Sequence, residues 1–182
     1  MRKLAFLFSL LAGPAMATGL QIDVAGEANG TVTIALFEDV APGHVEQITA
    51  LAAAGAYDGV VFHRVIDGFM AQTGDVEFGK LEGGDMRRAG MGGSDLPDLK
   101  AEFSDVSFER GVLGMARSQN PDSANSQFFI MFAPATHLNG HYTVVGEVTD
   151  GMDVVDAIKR GKGRNGSVVG QPDVMTSVTV TD

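Results

Sequence analysis

The sequence predicts a mainly β fold: a closed, eight-stranded antiparallel barrel with two α-helices over its ends. Three observations point there. Eight short runs are apolar or alternate apolar with polar residues, at the length of strands. Only two stretches carry apolar residues at the three- and four-residue spacing of a helix. The 24 glycines among 182 residues supply many turns. Closing so many short strands into a barrel removes their exposed edges.

Taken in order, residues 20–25 and 31–37 are the first two strands. In the second, Val32, Ile34 and Leu36 alternate with Thr31, Thr33 and Ala35, and Asn29-Gly30 ends the turn between them. Residues 41–54 switch to a helix: Pro42 suits the first turn, Val45, Ile48, Leu51 and Ala52 form one stripe, and Gly55 is the stop. His44 and Glu46 are expected on its solvated side. Residues 61–73 read as a hairpin about Asp67-Gly68, because both turn residues tolerate positive φ. Residues 77–99, rich in Gly, Asp and Arg, read as a long surface loop. Its Gly90-Met91-Gly92-Gly93 lacks the ending of a phosphate loop.

Strands follow at 111–117 and 127–132. The second has Gln127, Phe129 and Met131 on one face and Phe128, Ile130 and Phe132 on the other. Both faces therefore need cover, one from the core and one from a ligand groove, a loop or a partner. Asn139-Gly140 is a turn and 143–148 a strand. Residues 151–160 are a second helix with Val154, Val155 and Ile158 inward and Gly161 as its stop; Lys159 and Arg160 suit its negative end. A flexible, basic, Gly-rich loop at 162–170 leads to the last strand, 174–181.

The first 17 residues read as a secretory signal. Arg2 and Lys3 precede a short apolar run, Gly13-Pro14 breaks it, and Ala15-Met16-Ala17 fits a signal peptidase site. The run is too short to span a bilayer. The domain then occupies 18–182, exported and, in a bacterium, periplasmic. The chain has no cysteine, which excludes disulfides and a lipid-modified cysteine. The net charge is −10, and −12 after loss of Arg2 and Lys3, which argues against nucleic acid or anionic membrane as partners.

A guanidinium inside the apolar run around Arg64 needs a reason. It is either a surface or ion-paired arginine, or a cationic donor at the edge of an apolar pocket. Arg64, Phe69, Met70, Gln72, Gln127, Phe129 and Leu138 together offer one cation, two amides and large apolar groups, with no nucleophile. That set suggests catalysis by binding a distorted state of the substrate. His137 and His141 have a spacing used on zinc-binding helices, but Asn139-Gly140 between them predicts a turn, so no metal or other cofactor is expected. There is no GxSxG elbow.

Three motifs carry a resemblance: FHRVIDGFMAQTGD at 62–75, GVLGMARSQNPDSANSQFFI at 111–130 and HLNGHYTVVGEV at 137–148. In this order they resemble the cyclophilin-type peptidyl-prolyl cis-trans isomerases, from about Thr31 to Val180. The resemblance implies an eight-stranded barrel capped by two helices and an isomerase of X–Pro bonds. It implies Arg64 as the catalytic arginine, Gln72 as the residue that orients it, and Phe69, Met70, Phe129 and Leu138 as the proline pocket. Ala116 and Arg117 would flank the substrate backbone, Arg117 standing where many relatives have asparagine. Gln127 would donate to that backbone, and Tyr142 stands where many eukaryotic members have histidine. His137 stands where many of those have tryptophan, so cyclosporin binding is expected to be weak. Expected partners are proline-containing peptides and unfolded or partly folded exported proteins, met by a monomer. The alternative is a proline-peptide binding or chaperone module whose catalysis is incidental.

Overall fold

A computed structural model describes residues 18–182 and resolves them into nine strands, two α-helices and one 3-10 turn. In chain order these are β1 (Gly19–Ala25), β2 (Gly30–Leu36), α1 (Pro42–Ala53), β3 (Val60–Val61), β4 (Arg64–Ile66) and β5 (Met70–Thr73). Then follow β6 (Val112–Met115), β7 (Phe128–Met131), the 3-10 turn (Thr136–Leu138), β8 (Val144–Asp150), α2 (Met152–Ala157) and β9 (Val174–Thr181). All the strand pairings are antiparallel, in one sheet of order β3-β9-β1-β2-β8-β6-β7-β5-β4.

This corrects the expected closed barrel of eight strands. The sheet is a curled half-barrel of nine, and its end strands β3 and β4 do not pair. The reason lies in two residues. Phe62 donates its N–H to the Asp173 carbonyl (2.9 Å), and the His63 carbonyl accepts from Val168 N–H (3.1 Å). The run expected as one strand therefore breaks there, and its halves join opposite ends of the sheet. Neither end is left bare. Val60 bridges to Lys80 and Val61 donates to the Gly79 carbonyl (2.9 Å) on the outer side of β3. Arg64 bridges to Ser167 and Val65 donates to the Gly166 carbonyl (2.8 Å) on the outer side of β4. Loops thus do at both edges what closure would have done. The stretch at 162–170, expected to be flexible, is one of these edge covers.

The first helix forms where expected, with Val45, Ile48, Leu51 and Ala52 buried. His44, however, is fully buried rather than solvated. The N-cap residue Ala41 has no capping side chain, and Glu102 caps from afar. Its carboxylate accepts from Gly43 N–H (3.2 Å), His44 N–H (3.1 Å) and His44 Nδ1 (2.6 Å). Burial alone would raise the Glu102 carboxyl, but the hydrogen bonds from His44 and Gly43 hold it below its ordinary value. α2 stops at Ala157, three residues short of expectation. Ile158 is already extended, because buried Asp173 draws Lys159 N–H onto its carboxylate (2.6 Å) and also accepts from Ala28 N–H (2.9 Å).

Two apolar clusters pack on the sheet. The larger holds Leu20, Ile22, Ile34, Phe62, Phe128, Ile130 and Met175. The smaller, on the other side of β7, holds Met70, Phe108, Phe129, Met131, Leu138 and Val144. This answers the question posed by the two-faced strand at 127–132: one face meets the core, the other a loop and a groove.

Candidate active site

Antiparallel register builds the site. Arg64 lies opposite Gln72, Gln72 opposite Phe129, and Phe129 opposite Gly114, so one row crosses β4, β5, β7 and β6. Directly opposed residues share a face, which brings a cation, an amide and a ring into line. At Gly114 nothing larger fits: a Cβ there would come within 2.4 Å of the Phe129 ring and 2.5 Å of Phe108. The two rings stack at 5.8 Å over that gap.

Arg64, Phe69, Met70, Gln72, Ala116, Arg117, Phe129, Leu138 and Tyr142 line one cavity of about 170 Å3. Met70, Phe129 and Leu138 form its buried apolar lining, and Tyr142 meets Phe129 edge-on at 5.9 Å. Nine of the eleven residues singled out in the sequence therefore meet at one place. Gln127 lies instead on an adjoining cavity of about 590 Å3, walled by residues 90–94, 116–118 and 125–127. His137 is exposed and stacks on Phe69 at 5.8 Å.

Hydrogen bonds fix the polar members. Arg64 Nη1 donates to Gln72 Oε1 (3.0 Å) and weakly to Met70 Sδ (3.9 Å), and Arg64 Nε donates to the Asn165 carbonyl (2.9 Å). Gln72 Nε2 donates to Gln127 Oε1 (3.0 Å), and Gln127 Nε2 to the Gly92 carbonyl (2.7 Å). A guanidinium only donates and a carbonyl only accepts, so the two ends of this chain dictate how both amides are turned. Asn165 and Gly92 were invisible in the sequence, because each contributes a backbone carbonyl that any residue carries. Gly92 is held in turn by Asp75, fully buried, whose carboxylate accepts from the N–H groups of Glu77 (3.1 Å), Phe78 (2.9 Å), Gly90 (2.6 Å) and Gly92 (3.0 Å).

Electrostatically the cavity is cationic. Among the described residues Arg64 and Arg117 form no ion pair, and no carboxylate lines the cavity. Burial pulls the Arg64 guanidinium below its usual value. Next to it in the chain, both ring nitrogens of His63 are buried without a hydrogen-bond partner among the described residues. Burial pushes this imidazole down to about 4; the Asp75 charge opposes that shift and Arg64 adds to it.

A family model of the cyclophilin type peptidyl-prolyl cis-trans isomerases matches residues 20–180. A probable peptidyl-prolyl cis-trans isomerase of Brucella suis is 58% identical over 153 residues, 84% of this chain and 78% of that protein. An isomerase of Arabidopsis thaliana is 39% identical over 137 residues, 72% of this chain and 78% of its own. Among solved structures, a cyclophilin of Cryptosporidium parvum superposes with a TM-score of 0.75 at 23% identity, covering 92% of this chain and 99% of its own. A cyclophilin of Hirschia baltica gives 0.70 at 24% identity, covering 88% and 73%. Sequence likeness along nearly the whole domain and a common sheet agree: this chain belongs to the cyclophilin-type peptidyl-prolyl cis-trans isomerases.

Proposed function

We propose that isomerisation occurs in the 170 Å3 cavity, with Arg64 stabilising the twisted X–Pro amide and Phe69, Met70, Phe129 and Leu138 gripping the proline ring. The observation that carries this reading is the state of Arg64. It borders an apolar hollow and, among the described residues, carries no ion pair and spends Nε and Nη1 on internal acceptors while Nη2 has none.

Rotation about the peptide bond faces a barrier of about 18–20 kcal/mol because resonance gives the C–N bond double-bond character. Halfway through the rotation that resonance is lost, and a lone pair localises on the prolyl nitrogen. A donor aimed at this nitrogen favours the twisted state over either planar one. Nη2 is the donor left to do this, and the apolar lining strengthens the interaction by excluding water. A thousandfold acceleration needs only about 4 kcal/mol. Gln72 fixes Nη1, and Gln127 supports Gln72 while offering its second amide N–H to the substrate backbone. Ala116, Arg117 and Tyr142 flank the peptide, and His137 extends the rim through Phe69. A related cyclophilin crystallised in the presence of the dipeptide Ala-Pro supports proline peptides as the ligand class.

The biological setting we propose is the folding of exported proteins, in the periplasm, by a monomer freed of residues 1–17, with weak cyclosporin binding. Those 17 residues lie outside the described part of the chain. The central test is a proline-isomerisation assay on a short peptide: Arg64→Ala should lower kcat/KM at least about tenfold, about 1.4 kcal/mol, with the circular dichroism spectrum unchanged. Full activity in that variant removes Arg64 from the mechanism. Sequencing the N-terminus of protein recovered from its native host tests export, with Thr18 the expected first residue.

A further inference from the structure

We propose that this isomerase favours substrates bearing a negatively charged side chain beside the proline, and that Arg117 selects them. The proposal rests on reading the 170 Å3 cavity as the proline site. Two guanidinium groups line that cavity without a counter-charge, in a protein whose net charge is −10. A neutral peptide would leave Arg117 uncompensated, whereas a carboxylate on the peptide would complete a pair.

Arg117 is built to hold its position. Nη1 donates to the Ser118 carbonyl (2.8 Å), Nη2 donates to the His141 carbonyl (2.7 Å), and the guanidinium lies 4.3 Å over the Tyr142 ring. Its Nε is buried with no acceptor among the described residues. One N–H on each Nη remains uncommitted among the described residues. A fork fixed on two sides and one face loses little freedom when it captures an anion.

Its location suits selection rather than chemistry. Gln72, Ala116 and Arg117 line both the 170 Å3 cavity and the 590 Å3 cavity beside it. A peptide with its proline ring in the smaller cavity passes Arg117 on its way to the larger. The one acidic residue lining the larger cavity, Asp98, accepts a hydrogen bond from Asn125 Nδ2 at 3.1 Å. A charge pair at such a partly exposed site shifts rates by a factor of about two to five.

The test uses tetrapeptides carrying Glu, Gln or Lys in turn just before, two before or just after the proline. Isomerisation is followed by NMR exchange, without a coupled protease. The expected result is a kcat/KM about threefold higher for Glu than for Gln in at least one position, with Lys below Gln, the ratio shrinking at high salt. Arg117→Asn should bring the Glu-to-Gln ratio to one, and Arg117→Glu should reverse it toward Lys. The ratio cancels any general loss of activity in these variants. Equal rates for Glu and Gln at every position, or a Glu preference that survives Arg117→Glu, would overturn the proposal. Arg64→Ala serves as the separate arm: if it abolishes turnover of every peptide while the wild type shows no charge preference, only the selection by Arg117 is lost. If Arg64→Ala turns over every peptide at the wild-type rate, the reading of the cavity itself is lost.

Discussion

Arg64 is held by acceptors from two parts of the chain: Gln72 and Met70 on the facing strand β5, and the Asn165 carbonyl 101 residues away. Removing the side-chain amide among these isolates its worth. Gln72→Ala leaves a partly buried guanidinium N–H without its acceptor, so kcat should fall about tenfold with a smaller change in KM, read in the same peptide assay. His63, next to Arg64 in the chain, gives a pH prediction. Its folded-state value is lowered to about 4 from the usual 6.5, so the unfolded chain binds the proton more readily. The stability this confers is fully present above pH 6.5 and is lost as pH falls toward 4, to a total of about 3 kcal/mol. Urea unfolding across that range should show the wild type losing stability relative to His63→Phe, which cannot titrate. The residues that line the cavity were legible because they contribute side chains and sit in short motifs. The Asn165 and Gly92 carbonyls, and the burial of His44 under Glu102, were not, since each depends on a partner brought close only by the fold.

At the scale of elements, the β4–β5 hairpin and the β6–β7 pair carry the site between them. Asp67-Gly68 was readable as the hairpin turn, and Gly68 does adopt a positive φ of 67°. Gly114 was not readable as special, because its constraint comes from Phe108 and Phe129 rather than from its own backbone. Gly114→Ala should push the Phe129 ring toward the cavity, costing about 1–3 kcal/mol of stability and raising KM for a proline peptide. Denaturant midpoints and the peptide assay check the two halves. The loop after β5 is organised by Asp75, which gathers four backbone N–H groups. Asp75→Ala should therefore speed hydrogen exchange at Gly90 and Gly92 before it affects amides of β1 or β2. From the sequence this stretch was only a long Gly-rich loop, as its order is imposed by one carboxylate that lies outside it.

For the whole molecule, the strand count was nearly legible, since alternation, turn glycines and two helical stripes are local signals. Closure was not, because it hinges on where Phe62 and His63 send their backbone hydrogen bonds. The sheet order makes the C-terminus indispensable: β9 lies between β3 and β1, and Met175 and Val178 sit in the main core. A chain ending at residue 173 should fail to fold, seen as loss of the cooperative thermal transition. If the enzyme meets chains not yet folded, as proposed above, the strips laid along β3 and β4 have a further meaning. Such clients are sticky and rich in unpaired backbone, and any bare ladder on the catalyst would invite them to dock and stay. Because Gly79–Lys80 and Gly166–Ser167 already occupy those rungs, such clients would be met at the groove alone and let go.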